Sequence, residues 1–423
     1  RCSCVRPVGV SVCGLLYMTD EELLTTVQER TFRYFWDYAH PVSGLARERL
    51  GSGDTVTCGG SGFGLMTFPV AVERGFVTRE AAAYRTCKIL KFLQDKADRF
   101  HGAYPHWMNG TTGAAMAFSQ KDNGGDIVET ALLLQGMLTV REYFSRPDPV
   151  EEEIRSCVDS IWRTVEWDWY TRGEDVLYWH WSPDYGWDMN MQVTGWNEAL
   201  IVYVLAASSP THPISRRVYD NGWARNGEML NGLKYLDVTL PLGPPYGGPL
   251  FFAHYSFLGL NPHGLSDAYA DYWDQNVAQT RINYKYCVEN PKGWKGYSRN
   301  VWGLTASDVP GGYAASSPTE DTGTIAPTAA LSSFPYTPYE SMEALHYYYY
   351  ILGEKLFGEY GFYDAFNIQD GWYASSYLAI DQGPIIIMIE NYRTGLLWNM
   401  FMKNDDVKSG LLRLGFDFHR PRE

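Results

Sequence analysis

The run Lys121-Asp122-Asn123-Gly124-Gly125-Asp126-Ile127-Val128-Glu129 places three carboxylates within eight residues, where a glycine-rich loop turns into an apolar-periodic helix. No basic residue follows until Arg141. Asp126 and Glu129 are three apart, so both stand on one face if the helix begins near Asp126. That spacing alone also reads as a capping box, with Asp126 accepting the Glu129 amide and Glu129 reaching back. Asp122 shifts the balance toward chemistry, because Lys121 is the only obvious cation nearby. Mutually repelling carboxylates are tolerated where they hold a proton, a water or a substrate hydroxyl.

A second acid, Glu198, lies in Thr194-Gly195-Trp196-Asn197-Glu198-Ala199-Leu200, which reads as a Thr194 cap and the opening turn of a helix that is apolar nearly all round. An acid there can serve the helix dipole. Beside Trp196 and Asn197 it can equally hold a proton for a leaving group. Glycoside hydrolysis needs such an acid opposite a carboxylate that acts as nucleophile or activates water. Glu198, Asp122, Asp126 and Glu129 are therefore the candidate catalytic residues. The stretch Trp179-His180-Trp181-Ser182-Pro183-Asp184-Tyr185-Gly186-Trp187-Asp188 alternates rings with short polar groups, as sugar sites do when C–H faces stack on rings and polar groups take the hydroxyls. The other reading is a loop using its rings as a small core. Trp187, Asp188, Trp196 and Asn197 are the leading candidates for substrate contact, with Trp302 and Tyr313 below them.

Other chemistries lack their motifs. Gly59-Gly60-Ser61-Gly62-Phe63-Gly64 has no following Lys-Ser/Thr and no clear strand before it, so it reads as a loop and not a phosphate cradle. His101 and His106 have no partner at metal-ligand spacing, and no Gly-x-Ser-x-Gly elbow offers a serine nucleophile. No metal or cofactor is called for. The net charge of −14, with 49 Asp and Glu against 35 Lys and Arg, disfavours nucleic acid as a partner. No window has the roughly 20 apolar residues of a membrane helix. Cys58, Cys87, Cys157 and Cys287 show no CxxC spacing and read as mostly buried thiols. Cys2, Cys4 and Cys13 belong to an apolar segment at 1–18 that reads as an export or lipid-attachment remnant, or as an artefact.

The elements that must position these acids are helical. Thr19-Asp20-Glu21-Glu22 is a capping box, Asp148-Pro149-Val150-Glu151 a second start, and Thr337-Pro338-Tyr339-Glu340 a third. Further helices are expected at about 78 to 100, 194 to 207 and 384 to 403, and one follows the acid cluster. Long aromatic loops at 40 to 66, 101 to 125, 170 to 193, 239 to 267 and 291 to 336 separate them. Antiparallel helical hairpins in a ring, forming one domain over 19–423, fit this alternation better than a sheet. The loops would gather at one end and bring Asp122, Asp126, Glu129 and Glu198 together.

The segments 121–129, Gly195-Trp196-Asn197-Glu198-Ala199, Asn300-Val301-Trp302-Gly303-Leu304-Thr305-Ala306-Ser307-Asp308 and Ile380-Asp381-Gln382-Gly383-Pro384 resemble the glycoamylase-like domain of glycoside hydrolase family 144. The resemblance covers nearly everything after about residue 19. It implies an all-α (α/α)6 toroid and a bacterial endo-β-1,2-glucanase that yields sophorose and longer oligosaccharides with inversion. It also implies Glu198 as general acid, with Asp122, Asp126 and Glu129 on the base side or on substrate hydroxyls. Asp381 stands before an expected helix start at Pro384, as an alternative base or an N-cap. The alternatives are an exo-acting hydrolase releasing sophorose, a polysaccharide lyase, and a non-catalytic glucan-binding protein. A polymeric substrate implies action outside the cytoplasm, secreted or periplasmic, and a monomer is expected.

Overall fold

Residues 18–418 are described by the computed structural model, so the segment expected to be a leader, with Cys2, Cys4 and Cys13, lies outside the described residues apart from Met18. Helices begin where the sequence supplies caps. Thr19 accepts the Glu22 amide at 3.1 Å and the Glu22 carboxylate returns to the Thr19 amide at 3.4 Å, opening α1 (Asp20–Trp36). Next come α2 (Cys58–Glu73), α3 (Arg79–Asp95), α4 (Ile127–Tyr143) and α5 (Pro149–Thr164), the last with Asp148 accepting the Glu151 amide at 2.9 Å. The middle of the chain holds α6 (Leu200–Ser208), the single turn α7 (Arg216–Val218), α8 (Tyr272–Glu289) and α9 (Pro327–Leu331). The chain closes with α10 (Pro338–His346), α11 (Gly353–Leu356), α12 (Ala379–Arg393), α13 (Leu396–Phe401) and α14 (Asp405–Arg413).

These helices form two populations. In α2, α4, α6 and α12 nearly every residue is buried, whereas α1, α3, α5 and α14 bury one face and show the other to solvent. A helix apolar all round belongs inside a core, and a one-sided helix covers it. Accordingly α2 packs between α4 and α12, α4 also meets α6, α1 covers α12, and α14 covers α6. The buried side chains form one continuous cluster. Strands are short: the longest paired segments, Ala306–Val309 and Gly312–Ala315, have four residues each. Among the described residues no helix is long and apolar enough to cross a membrane. Cys58, Cys157 and Cys287 are buried free thiols and Cys87 is half-buried.

Several starts differ from the sequence expectation. Gly59 to Gly64 is helix, the first turns of α2, and no loop. Its glycines serve contact: a Cβ on Gly62 would stand 2.4 Å from the Leu132 carbonyl oxygen, and one on Gly136 would stand 2.2 Å from the Gly62 carbonyl oxygen. Backbone therefore meets backbone between α2 and α4, and local helix propensity yields to packing. The helix expected from Thr194 starts at Leu200, because Gly195 takes a φ of +76° and the Thr194 hydroxyl donates to the Gly222 carbonyl instead of capping. Pro384 does not start a helix: α12 begins at Ala379 and carries Pro384 inside it. The span expected to run unbroken to 403 is divided at Gly395, whose φ is +71°. Thr337 precedes α10 without capping it and bonds Ser333 and Ser341 instead.

The α2–α4 contact gives a stability prediction. Gly62→Ala gains helix propensity of roughly 1 kcal/mol but must push two backbones apart, which costs typically 1–3 kcal/mol or more. The expected result is a net loss in denaturant-induced unfolding. A variant as stable as the parent would show that the close approach is not required.

Candidate active site

Three backbone arrangements build the acidic cluster. Gly125–Asp126 pairs antiparallel with His180–Trp181, in a register that sets Asp126 opposite His180. The Asp126 amide donates to the Tyr104 carbonyl at 2.9 Å and the Ile127 amide to the Trp179 carbonyl at 3.0 Å. Thr55–Thr57 pairs with Trp107–Asn109, and the Cys58 amide donates to the His106 carbonyl at 3.2 Å, so His106 stands at the N-terminus of α2.

Asp126 is the N-cap of α4, fully buried, and its Oδ1 accepts the amides of Val128 and Glu129, each at 2.9 Å. The capping box stops halfway. Glu129 does not reach back to Asp126; its Oε2 accepts the Gly59 amide of α2 at 2.7 Å. A Cβ on Gly59 would lie 2.1 Å from that oxygen, so a larger residue there would displace the carboxylate. His106 faces the other oxygens, with Nδ1 3.3 Å from Asp126 Oδ2 and Nε2 3.5 Å from Glu129 Oε1. His180 Nε2 is 3.5 Å from Asp122 Oδ2 and 3.9 Å from Asp126 Oδ2. Lys121 points away, 3.8 Å from Asp188.

Burial sets the protonation of the cluster. It pushes Asp122 up to about 7, with the Asp126 charge adding to the effect and His106 opposing it. It pushes Glu129 up to about 7 against the pull of His106 and the Gly59 amide. Asp126 goes the other way: burial would raise it, but His106, 3.3 Å from its Oδ2, and the charge of His180 bring it below the usual carboxylate value. For His106, burial works downward and is outweighed by Glu129, Asp126 and Asp122, which lift it to about 9.

Glu198 approaches from another element. It lies in the turn before α6, held by the Ser256 hydroxyl, which donates to its carbonyl at 2.6 Å and accepts the Ile201 amide at 3.1 Å. Burial pushes its carboxyl up to about 7; its own amide opposes, while Glu129 and Asp126 add to the rise. Glu198 and Glu129 line one cavity of about 400 Å³, whose walls include Trp107, Phe118, Trp179, Phe251, Tyr255 and Tyr313. Asp122 and Asp126 do not line it; they stand behind His106 and Glu129. Across the cavity Arg49 bridges Glu48 at 3.0 Å and Asp308 at 3.1 Å, and Ser376 donates to Asp308 at 2.6 Å.

The remaining candidates are scattered. Tyr313 is half exposed on the wall of the cavity, on the hairpin opposite Asp308. Trp196 is buried, stacks on Tyr272 and donates its indole N–H to Gln279 at 2.9 Å; Trp302 is fully buried and donates to the Glu340 carbonyl at 3.2 Å. Both are core residues with a satisfied polar edge, not cleft residues. Asn197 accepts the Ala199 amide at 2.8 Å in the turn that carries Glu198. Trp187 and Asp188 lie outside the cavity, Trp187 beside Trp169 and under Arg172. Asp381 falls in the first turn of α12, buried and hydrogen-bonded to Asp364; burial and that neighbour push it well above the usual range. His106 and the Arg49 bridge had no spacing signal. The one clue to His106 was the missing cation of the 122–129 run. His106, Asp122 and Asp126 also offer one ligand atom each within 4.8 Å of one another, a spacing a small cation could use.

The chain is similar to several known proteins. A family model described as "Glycoamylase: Putative glucoamylase" matches residues 190–405. An "Exo beta-1,2-glucooligosaccharide sophorohydrolase (non-reducing end)" of Parabacteroides distasonis is 48% identical over 420 residues, covering 94% of this chain and 58% of that protein. The chain thus spans little more than half the length of that relative. The crystal structure of a putative glucoamylase from Bacteroides uniformis is 57% identical, with a TM-score of 0.94 over 95% of this chain and 98% of its own. An endo-beta-1,2-glucanase from Chitinophaga pinensis, solved with sophorotriose and glucose, is 50% identical, with a TM-score of 0.93 over 95% of this chain and 99% of its own.

The raised carboxyls predict a pH dependence of stability. Asp122 keeps its proton to about pH 7 in the folded chain but has an ordinary value of 3.8, so the folded state binds more protons in between. Stability from this group is therefore present at low pH and lost as pH rises toward 7. Asp122→Asn should gain on the parent in melting temperature between about pH 4 and pH 7. A constant difference between the two across that window would contradict the assignment.

Proposed function

The chain belongs to the family described as "Glycoamylase: Putative glucoamylase", and from that membership and the paired acids we propose that it is a glycoside hydrolase cleaving β-1,2-glucan. We assign it to glycoside hydrolase family 144, with an (α/α)6 toroid as its single domain and action outside the cytoplasm. The observation that carries the reading is that Glu198 and Glu129, from different elements, face one aromatic-walled cavity with raised carboxyl pKa values. Glu198 gives its proton to the leaving oxygen as the glycosidic bond breaks. Glu129, the member of the 122–129 cluster that lines the cavity, takes a proton from the water whose oxygen attacks the anomeric carbon from the opposite face. Asp122 and Asp126 support that carboxylate from behind. Asp381 remains the alternative base, near enough to Tyr255 and Tyr313 on the cavity wall for its ionised form to act on both.

Endo action is the primary reading and exo action the alternative: the chain is 50% identical to an endo-beta-1,2-glucanase and 48% identical to an exo-acting sophorohydrolase. The test is incubation with linear β-1,2-glucan beside starch and β-1,3-glucan, following product size. Mid-length β-1,2 oligosaccharides should appear first; sophorose alone from the outset would replace endo with exo action, and release from starch only would overturn the substrate. Glu198→Gln should lower kcat by roughly 10²–10⁴-fold with glucan binding retained. A near-parental rate would remove Glu198 from the acid role.

A further inference from the structure

His106 presents both ring nitrogens to carboxylates: Nδ1 stands 3.3 Å from Asp126 Oδ2 and Nε2 stands 3.5 Å from Glu129 Oε1. With both acids ionised, a neutral imidazole, which has one N–H, would turn its other nitrogen's lone pair toward an anion; only the imidazolium donates on both sides. Phe118 stacks on the ring at 4.1 Å and 24°, and Trp107 meets it edge-on, which fixes the ring plane. The further oxygens of both acids are already engaged, Asp126 Oδ1 by two amides and Glu129 Oε2 by Gly59. The ring thus closes a chain that runs from the N-cap of α4, through the cation, to a carboxylate on the cavity wall.

We propose that His106 is a positioning residue: clamped as an imidazolium between Asp126 and Glu129, it holds Glu129 ionised and aims it into the cavity, which makes Glu129 the carboxylate that takes the water proton. The charge and clamp assignments are independent of the substrate; only the catalytic use of Glu129 rests on the hydrolase reading above. His106 keeps both its protons throughout turnover. The proton lost by water goes to Glu129, and the one gained by the leaving oxygen comes from Glu198. The other ionisable groups facing the ring are Asp122, from the loop before α4, His180, from the strand opposite Asp126, and Glu48, across the cavity. Asp122 and Glu48 favour the cation when ionised, and a charged His180 would oppose it. Burial and the neighbouring His106 keep His180 low, offset in part by Asp126.

The test reads charge before it reads activity. Long-range 1H–15N spectra of the unmodified protein should show both His106 nitrogens protonated at about pH 7.5, where a free imidazole is neutral. A neutral His106 at that pH overturns the proposal without any variant. In protein carrying 13C-labelled glutamate carboxyls, assigned by Glu129→Gln, the Glu129 midpoint should rise by about one unit or more in His106→Gln, as loss of an adjacent opposite charge requires. His106→Asn serves if the glutamine variant does not fold. On β-1,2-glucan, His106→Gln should lose kcat more than KM, with the acidic limb of kcat/KM moved to higher pH and part of the rate recovered there. An equal loss at every pH with an unmoved Glu129 midpoint would mean that the ring only fills space, and overturns it. If the unmodified protein releases nothing from β-1,2-glucan, the substrate reading fails while the two NMR titrations still decide the clamp.

Discussion

The rest of the site depends on one arrangement: a fully buried aspartate at the N-terminus of α4 that stays charged. Asp126 has no solvent exposure, and an isolated carboxylate in that position would take up a proton. It remains an anion because two amides of the first turn donate to one oxygen and a histidine faces the other. The helix end supplies partial positive charge and unsatisfied N–H groups at the same point. Once Asp126 is fixed as an anion, the protonation of its neighbours follows. His106 charges, Asp122 keeps a proton, and Glu129 is left between an attractive cation and the repelling charge of Asp126.

That arrangement is only possible because two helix starts coincide in space. The N-terminus of α2 points at the first turn of α4, so the Gly59 amide reaches Glu129 while the Asp126 cap uses the amides of its own helix. The glycines of α2 permit this. Gly62 and Gly136 bring the two backbones into contact, and Gly59 leaves room for a carboxylate oxygen where any Cβ would collide. A stretch that has almost no amphipathic pattern thereby becomes a helix that meets α4 backbone to backbone beside the cavity. Packing density and the placement of the acid cluster are set by the same residues, so enlarging one of these glycines would test both at once.

Much of this was legible in the sequence, and the part that was not has a common cause. The caps at Thr19 and Asp148 are local signals, read from four consecutive residues, and the structure keeps them. The acid run at 122–129 was conspicuous because its charges lacked a counter-ion within the chain segment. The counter-ion, His106, comes from a loop paired with residues 55–57, a long-range contact that spacing cannot show. Gly59 to Gly64 looked like a loop because propensity is the only local information there, and a tertiary contact overrides it. Trp196 and Trp302 looked like ligand residues because they sit among glycine and polar neighbours. Each places its ring in the core and gives its N–H to an internal acceptor, which no pattern of adjacent residues reveals.

The difference between Glu129 and Glu198 lies in their polar partners, not in burial. Desolvation raises both Glu129 and Glu198 to about 7, so neither is distinguished by how deeply it sits. Glu129 has a donor on one oxygen and a cation facing the other, whereas the influences on Glu198 are its own amide and the repelling charges of Glu129 and Asp126. Coupled groups that share protons distribute them by such differences, and a single proton shared by this pair goes to the carboxyl with the fewer partners. Hydrolysis with one acid and one base requires that asymmetry before substrate arrives. Two carboxyls in equivalent surroundings would leave half the molecules with the proton on the wrong side of the bond. The imidazolium and the Gly59 amide remove that degeneracy at the cost of a glycine-lined helix end and a buried charge, which is why the cation, the glycine and the N-cap form one functional unit.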